Sequence, residues 1–90
     1  MISIRRTDQF GFPILQVSGV LDFYTFPGLL QQIRGCLDAQ PRRLGLDLSR
    51  VTRLDLAGLS LLLTASEWLA GRGSRLDILG TSPEVLPAVL

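Results

Sequence analysis

The stretch Leu44–Leu63, LGLDLSRVTRLDLAGLSLLL, changes its hydrophobic period halfway along, and that change restricts what the chain can fold into. Leu44, Leu46 and Leu48 alternate with Gly45 and Asp47, the period-two pattern of a strand with one buried face. From Leu59 the repeat becomes helical. Leu59, Leu62, Leu63, Ser66, Leu69 and Ala70 fall on one side of a helix, with Ser60, Thr64, Glu67 and Gly71 opposite. Asp55 stands just ahead of this helix, where a carboxylate accepts hydrogen bonds from free backbone N–H groups and complements the positive end of the helix dipole. The segment predicts strand, exposed loop and helix in succession, with Asp55 as the N-cap.

The rest of the chain frames this junction. Ile2 and Ile4 alternate with Ser3 and Arg5 as a short strand, the run Thr7–Gly11 turns, and Pro13–Ser18 returns as the second strand of a hairpin that Gly19 ends. Asp22 and Thr25 are both candidates to start the first helix, with Pro27 near its second position. Between Pro27 and Ala39, the residues Leu29, Leu30, Ile33, Cys36 and Leu37 make an apolar face, and Gly35 weakens the helix by about 1 kcal/mol relative to alanine. Pro41, Arg42 and Arg43 connect to the central strand. After the second helix, Gly71-Arg72-Gly73 supplies a C-cap, Arg75–Leu79 alternates as a strand, and Gly80-Thr81 turns. Ser82 then caps a third helix with Pro83 at its first position, Glu84 in its first turn, a buried face of Val85, Leu86, Val89 and Leu90, and a kink at Pro87. Strands separated by helices need crossover connections, so the class is α/β with the later strands parallel.

Ninety residues, 47% of them hydrophobic and 19% charged, bury a core as one domain over residues 1–90 without metals or disulfides. Nine arginines against eight acidic residues leave a net charge of +1, which points to neither nucleic acid nor an anionic membrane. With no histidine, no lysine and one cysteine, the chain excludes histidine proton transfer, lysine Schiff-base chemistry and Cys/His metal sites. Asp22, Asp47 and Asp55 are the carboxylates that could meet at the carboxyl ends of the strands. Asp22 and Asp55 have capping roles, however, and Asp47 points away from its apolar neighbours. Gly71-Arg72-Gly73 follows a helix and lacks the phosphate-loop pattern. The expectation is a protein with no catalytic residue, cofactor or metal. Cys36, at helical spacing from Leu29, Ile33 and Leu37, reads as a core thiol. No stretch reaches the roughly 18 apolar residues of a membrane span, and the N-terminus lacks the apolar centre of a signal peptide, so a cytoplasmic location is expected.

The segment Asp47–Leu59, DLSRVTRLDLAGL, resembles the signature of STAS domains, the fold of the bacterial anti-sigma factor antagonists. Gly19-Val20-Leu21-Asp22 is similar to the family's segment before its first helix, and Gly80-Thr81-Ser82-Pro83-Glu84-Val85 to the start of its third. The resemblance implies a four-stranded mixed sheet with about three helices packed on one side. It also implies a partner: bacterial regulators of this family bind an anti-sigma factor with serine kinase activity, which phosphorylates the serine directly after the motif's aspartate to end docking. A phosphate adds about −1.5 to −2 charges beside an aspartate in an interface fitted to a neutral group, so repulsion and desolvation oppose binding.

Here the residue after Asp55 is Leu56, followed by Ala57 and Gly58, so no hydroxyl stands at that position. Two functions follow from the resemblance. One is an antagonist that docks permanently through Asp22 and the segment Asp55, Leu56, Ala57, Gly58, Leu59, Ser60 and Leu61. The other is a scaffold or transport-associated STAS subunit, like those of phospholipid ABC transporters, which dock on an ATPase through the same helix end. A small-ligand or lipid-binding STAS module is a third class. Val20 stands where the family often carries an acid. Among the surviving hydroxyls Ser49, Thr52 and Ser60, Ser60 is the candidate phosphosite. Leu61, Ala65 and Trp68, at i, i+4 and i+7, lie on the flank of the second helix, and they serve either helix packing or a partner surface.

Overall fold

The computed structural model describes residues 1–8 and 10–83. The elements in order are β1 (Ile2–Thr7), β2 (Ile14–Leu21), α1 (Phe26–Cys36), a 3-10 turn (Leu37–Ala39), β3 (Arg43–Leu54), α2 (Leu56–Ala70) and β4 (Arg75–Thr81). The strands form one mixed sheet in the order β1-β2-β3-β4. The hairpin pairs β1 with β2 antiparallel, and the two crossovers through α1 and α2 make β2–β3 and β3–β4 parallel. This is the α/β, four-stranded mixed sheet that the sequence predicts. The third helix proposed over Ser82–Leu90 lies outside the described residues except for its first two positions.

Both helices pack on one face of the sheet. Leu15, Val17 and Leu21 of β2 and Leu44, Leu46, Leu48 and Val51 of β3 meet Phe26, Leu29, Ile33 and Cys36 of α1 and Leu62, Ala65 and Leu69 of α2 in one buried cluster. Each fully buried leucine or isoleucine contributes about 1.5–3 kcal/mol of transfer free energy. Cys36 lies in this cluster, and burial pushes its thiol up, away from the reactive thiolate.

Several boundaries differ from the sequence expectation. Gly19 does not end β2. Its φ of 99° is left-handed, it pairs with Val51 between two register shifts that each add a residue to β3, and Val20 N–H donates to the Met1 carbonyl at 3.2 Å, so the strand continues to Leu21. A Cβ at Gly19 would collide with that same carbonyl. The strand signalled by Leu44, Leu46 and Leu48 runs on to Leu54, its second half paired with Ser18–Leu21 of β2, so the exposed loop before the helix shrinks to Asp55. An extra β3 residue between Asp47 and Arg50, which pair with Gln16 and Ser18, moves Val51 rather than Arg50 into the core and breaks the alternation that a sequence reading relies on. Gly80 and Thr81 belong to β4, paired with Asp47 and Leu48, and are not a turn. The first helix starts at Phe26 and tightens to the 3-10 turn after Cys36, short of Ala39.

In α2 the buried residues are Gly58, Leu62, Ala65 and Leu69. Leu63, assigned to the buried side, is 60% exposed, and Ala70 is exposed as well. Leucines at 59, 61, 62 and 63 make the helix apolar on more than one side, so the hydrophobic period alone does not select the face that meets the sheet.

Candidate docking site

Because β2 and β3 run parallel, their last paired residues, Leu21 and Leu54, bring two strand-to-helix connections to one edge of the sheet. Open α/β sheets present their binding loops at such carboxyl-terminal edges. The first connection is Asp22–Thr25. Asp22 Oδ1 accepts from Tyr24 N–H and Thr25 N–H, each at 2.9 Å, while the Thr25 hydroxyl donates to the Val20 carbonyl at 2.8 Å and accepts from Asp22 N–H at 3.0 Å. Thr25 occupies the N-cap position of α1 but makes no side-chain bond to the helix, and Asp22 closes the turn ahead of it. Both cap candidates thus act on the connection rather than on the helix amides. The Thr25 N–H is the main cause holding the Asp22 carboxyl below the usual carboxylate range; partial burial opposes it and the Tyr24 N–H reinforces it.

The second connection is Asp55 itself. Its backbone is extended at φ −91° and ψ 176°, and its Oδ1 accepts from Gly58 N–H at 2.7 Å, which makes it the N-cap of α2 as its position implies. Gly58 has no room for a side chain. A Cβ there would lie 2.6 Å from the Leu21 carbonyl oxygen and 2.9 Å from Leu54 Cδ1. The first turn of α2 therefore rests backbone against backbone on the end of β2, and the residues on its outer side turn to solvent. Leu56 is 78% exposed, Ala57 and Ser60 are exposed, and Leu59 and Leu61 are half-buried.

Two side chains that the sequence reading did not assign to the site stand on the same edge. Phe23 and Tyr24 are 64% and 87% exposed, with their rings edge to face at 5.7 Å. The signal was available: two aromatics in a turn closed by Asp22 and Thr25 are too close to both ends of the turn to fold back into the core. The edge therefore offers Phe23, Tyr24 and Leu56 outward, while Asp22 and Asp55 bond the chain's own backbone. Asp47 does not join them. Its Oδ1 accepts from Ser49 N–H at 2.9 Å, and among the described residues no three metal-capable side chains gather.

The flank of α2 divides between its two readings. Ala65 is buried and Leu61 half-buried, both beside a cleft of about 190 Å³ shared with Phe26 and Leu30 of α1. Trp68, at the same cleft, keeps 37% of its surface, and the Arg72 guanidinium lies 4.9 Å from its ring centroid. Ser60 faces solvent, and its carbonyl accepts from the Thr64 hydroxyl at 3.0 Å. Among the described residues no helix is long and apolar enough to cross a membrane.

Comparison with known proteins supplies the context for this edge. The profile of a family described as "Mlab, STAS domain" matches residues 4–89. The crystal structure of an anti-sigma factor antagonist from Mycobacterium paratuberculosis superposes with a TM-score of 0.83 at 28% identity, over 99% of this chain and 75% of the other. A crystal structure of a protein named Mglu gives 0.68 at 25% identity over 88% of this chain, but this corresponds to only 19% of the Mglu chain. A search of curated proteins by sequence returned no match.

Proposed function

The chain belongs to the STAS-domain family, and on that premise we propose that it is a non-enzymatic, cytoplasmic regulator that works by docking another protein on the edge formed by Asp22 and Asp55–Leu61. The observation that carries this reading is Leu56, an aliphatic side chain 78% exposed on the first turn of α2 next to the end of β2. Exposed leucine and aromatic side chains at one edge are the kind of group that stabilises a protein interface once water is excluded. The likeness to an anti-sigma factor antagonist supports an anti-sigma factor with serine kinase activity as the partner.

Leu56 also determines what kind of regulator this is. Phosphorylation directly after Asp55 is chemically impossible, so binding is constitutive at that position and control lies in synthesis, in a second partner or at Ser60. The same missing hydroxyl favours a second reading, in which the domain is the STAS subunit of a phospholipid-type ABC transport system and docks on its ATPase. Isothermal titration against each purified candidate separates the two. An anti-sigma factor bound by the wild type and released by Leu56→Asp supports the first, an ATPase with that behaviour supports the second, and binding of either unchanged by Leu56→Asp removes the docking edge.

A further inference from the structure

The face of the sheet turned away from α1 and α2 carries an open depression of about 400 Å³ lined by Ser3, Ile4, Arg5, Gln16, Ser18 and Arg50. Strand register brings these residues together. Ser3 stands opposite Ser18 and Ser18 opposite Arg50 across three strands, while Arg5 stands opposite Gln16 in the neighbouring row. With strands about 4.8 Å apart and a rise of about 3.4 Å per residue, the Cα atoms of Arg5 and Arg50 are about 12 Å apart, so two arginine side chains can reach one point between them.

Neither arginine is held in an ion pair: among the described residues the pairs are Arg6–Asp8, Arg43–Asp77 and Arg75–Asp77. No carboxylate lines the depression. Asp47, opposite Gln16 in register, has its Oδ1 on Ser49 N–H, and Asp77 is held by Arg43 and Arg75.

We propose that this depression binds the phosphoryl group of a small molecule between Arg5 and Arg50, with the Ser3 and Ser18 hydroxyls and the Gln16 amide completing its shell. The donor count selects phosphate over carboxylate. Two guanidinium forks, two hydroxyls and an amide offer more N–H and O–H groups than the two oxygens of a carboxylate accept, whereas the three outer oxygens of a phosphate monoester accept from both forks and the hydroxyls at once. Two cations on one short face are too few for a nucleic-acid backbone. The depression lies on the opposite face from α2, so it can be filled while a protein occupies the docking edge.

The test is a ¹H–¹⁵N titration of the whole chain with inorganic phosphate and with glycerol phosphate at fixed ionic strength, alongside matched chloride and succinate titrations. The expected result is saturable shifts in the amides of Ser3, Arg5, Gln16, Ser18 and Arg50 with both phosphoryl compounds. Binding weakens at least tenfold in Arg5→Gln and in Arg50→Gln, while Arg53→Gln and Leu56→Asp bind as the wild type. Arg50→Lys, which keeps the charge and the fold but loses the fork, also weakens it. Shifts that do not saturate, succinate binding as tightly as phosphate, or folded Arg5→Gln and Arg50→Gln variants that bind normally overturn the proposal. The Leu56→Asp titration separates its fate from that of the docking edge.

Discussion

A Cβ added to Gly58 would sit 2.6 Å from the carbonyl oxygen of Leu21, closer than side-chain carbons approach backbone oxygens in folded proteins. This contact sets the height of α2 over the sheet and, with the Asp55 cap, points Leu56 outward. Gly58→Ala must push the helix off β2 or distort the turn, and overpacking of this kind costs about 1–3 kcal/mol. Urea unfolding followed by far-UV circular dichroism should show that loss.

The opposite result is expected in α1. Gly35 lies inside the helix, and a Cβ added there would meet nothing within 4 Å. Gly35→Ala should therefore stabilise by about 0.5–1 kcal/mol through the lower entropy of the unfolded chain and better helix propensity. A paired comparison of the two glycine variants in one denaturant series checks both signs.

Acid should weaken the fold through two identified carboxylates. Asp22 is held low mainly by the Thr25 N–H. Burial pushes the Asp77 carboxyl up, but hydrogen bonds from Arg43 and Arg75 outweigh it and leave the group below its usual value. Both groups bind protons less readily folded than unfolded, so their contribution is complete above the unfolded value of about 3.9 and is lost as pH falls below it through the folded values. The difference in urea midpoint between pH 7 and pH 3 should shrink in Asp22→Ala and in Asp77→Asn relative to the wild type.

Leu56 is expected to matter for binding and not for folding. At 78% exposure its replacement by aspartate removes little buried surface and places a charge at the N-terminal end of α2, where the dipole favours it. Leu56→Asp should stay within about 0.5 kcal/mol of the wild type in unfolding experiments, as surface substitutions usually do.

The legible part of the fold was the part that follows simple periods. Leu44, Leu46 and Leu48 marked β3, the carboxylate before a leucine-rich run marked the Asp55 cap, and the motif around them marked the family. The missed parts each have a physical reason. Ser49-Arg50-Val51-Thr52-Arg53 is too polar to read as a strand, yet pairing with β2 holds it there, and the extra residue in β3 between Asp47 and Arg50 shifts which residues face the core. The inward side of α2 was misjudged because leucines surround the helix, so its position over the sheet decided burial. At the site, the capping role of Asp55 was legible and the exposed aromatic pair beside it was not. Asp22 and Asp55 shape the backbone, and the exposed groups beside them are Phe23, Tyr24 and Leu56.

The central claim is that the edge presenting Phe23, Tyr24 and Leu56 receives another protein, and the most direct test is the affinity of an identified partner for the wild type and for Leu56→Asp, measured by isothermal titration with both proteins shown to be folded. The account predicts at least a 100-fold loss, about 2.7 kcal/mol, from placing one carboxylate in an apolar contact. Equal affinities for the two proteins would contradict it.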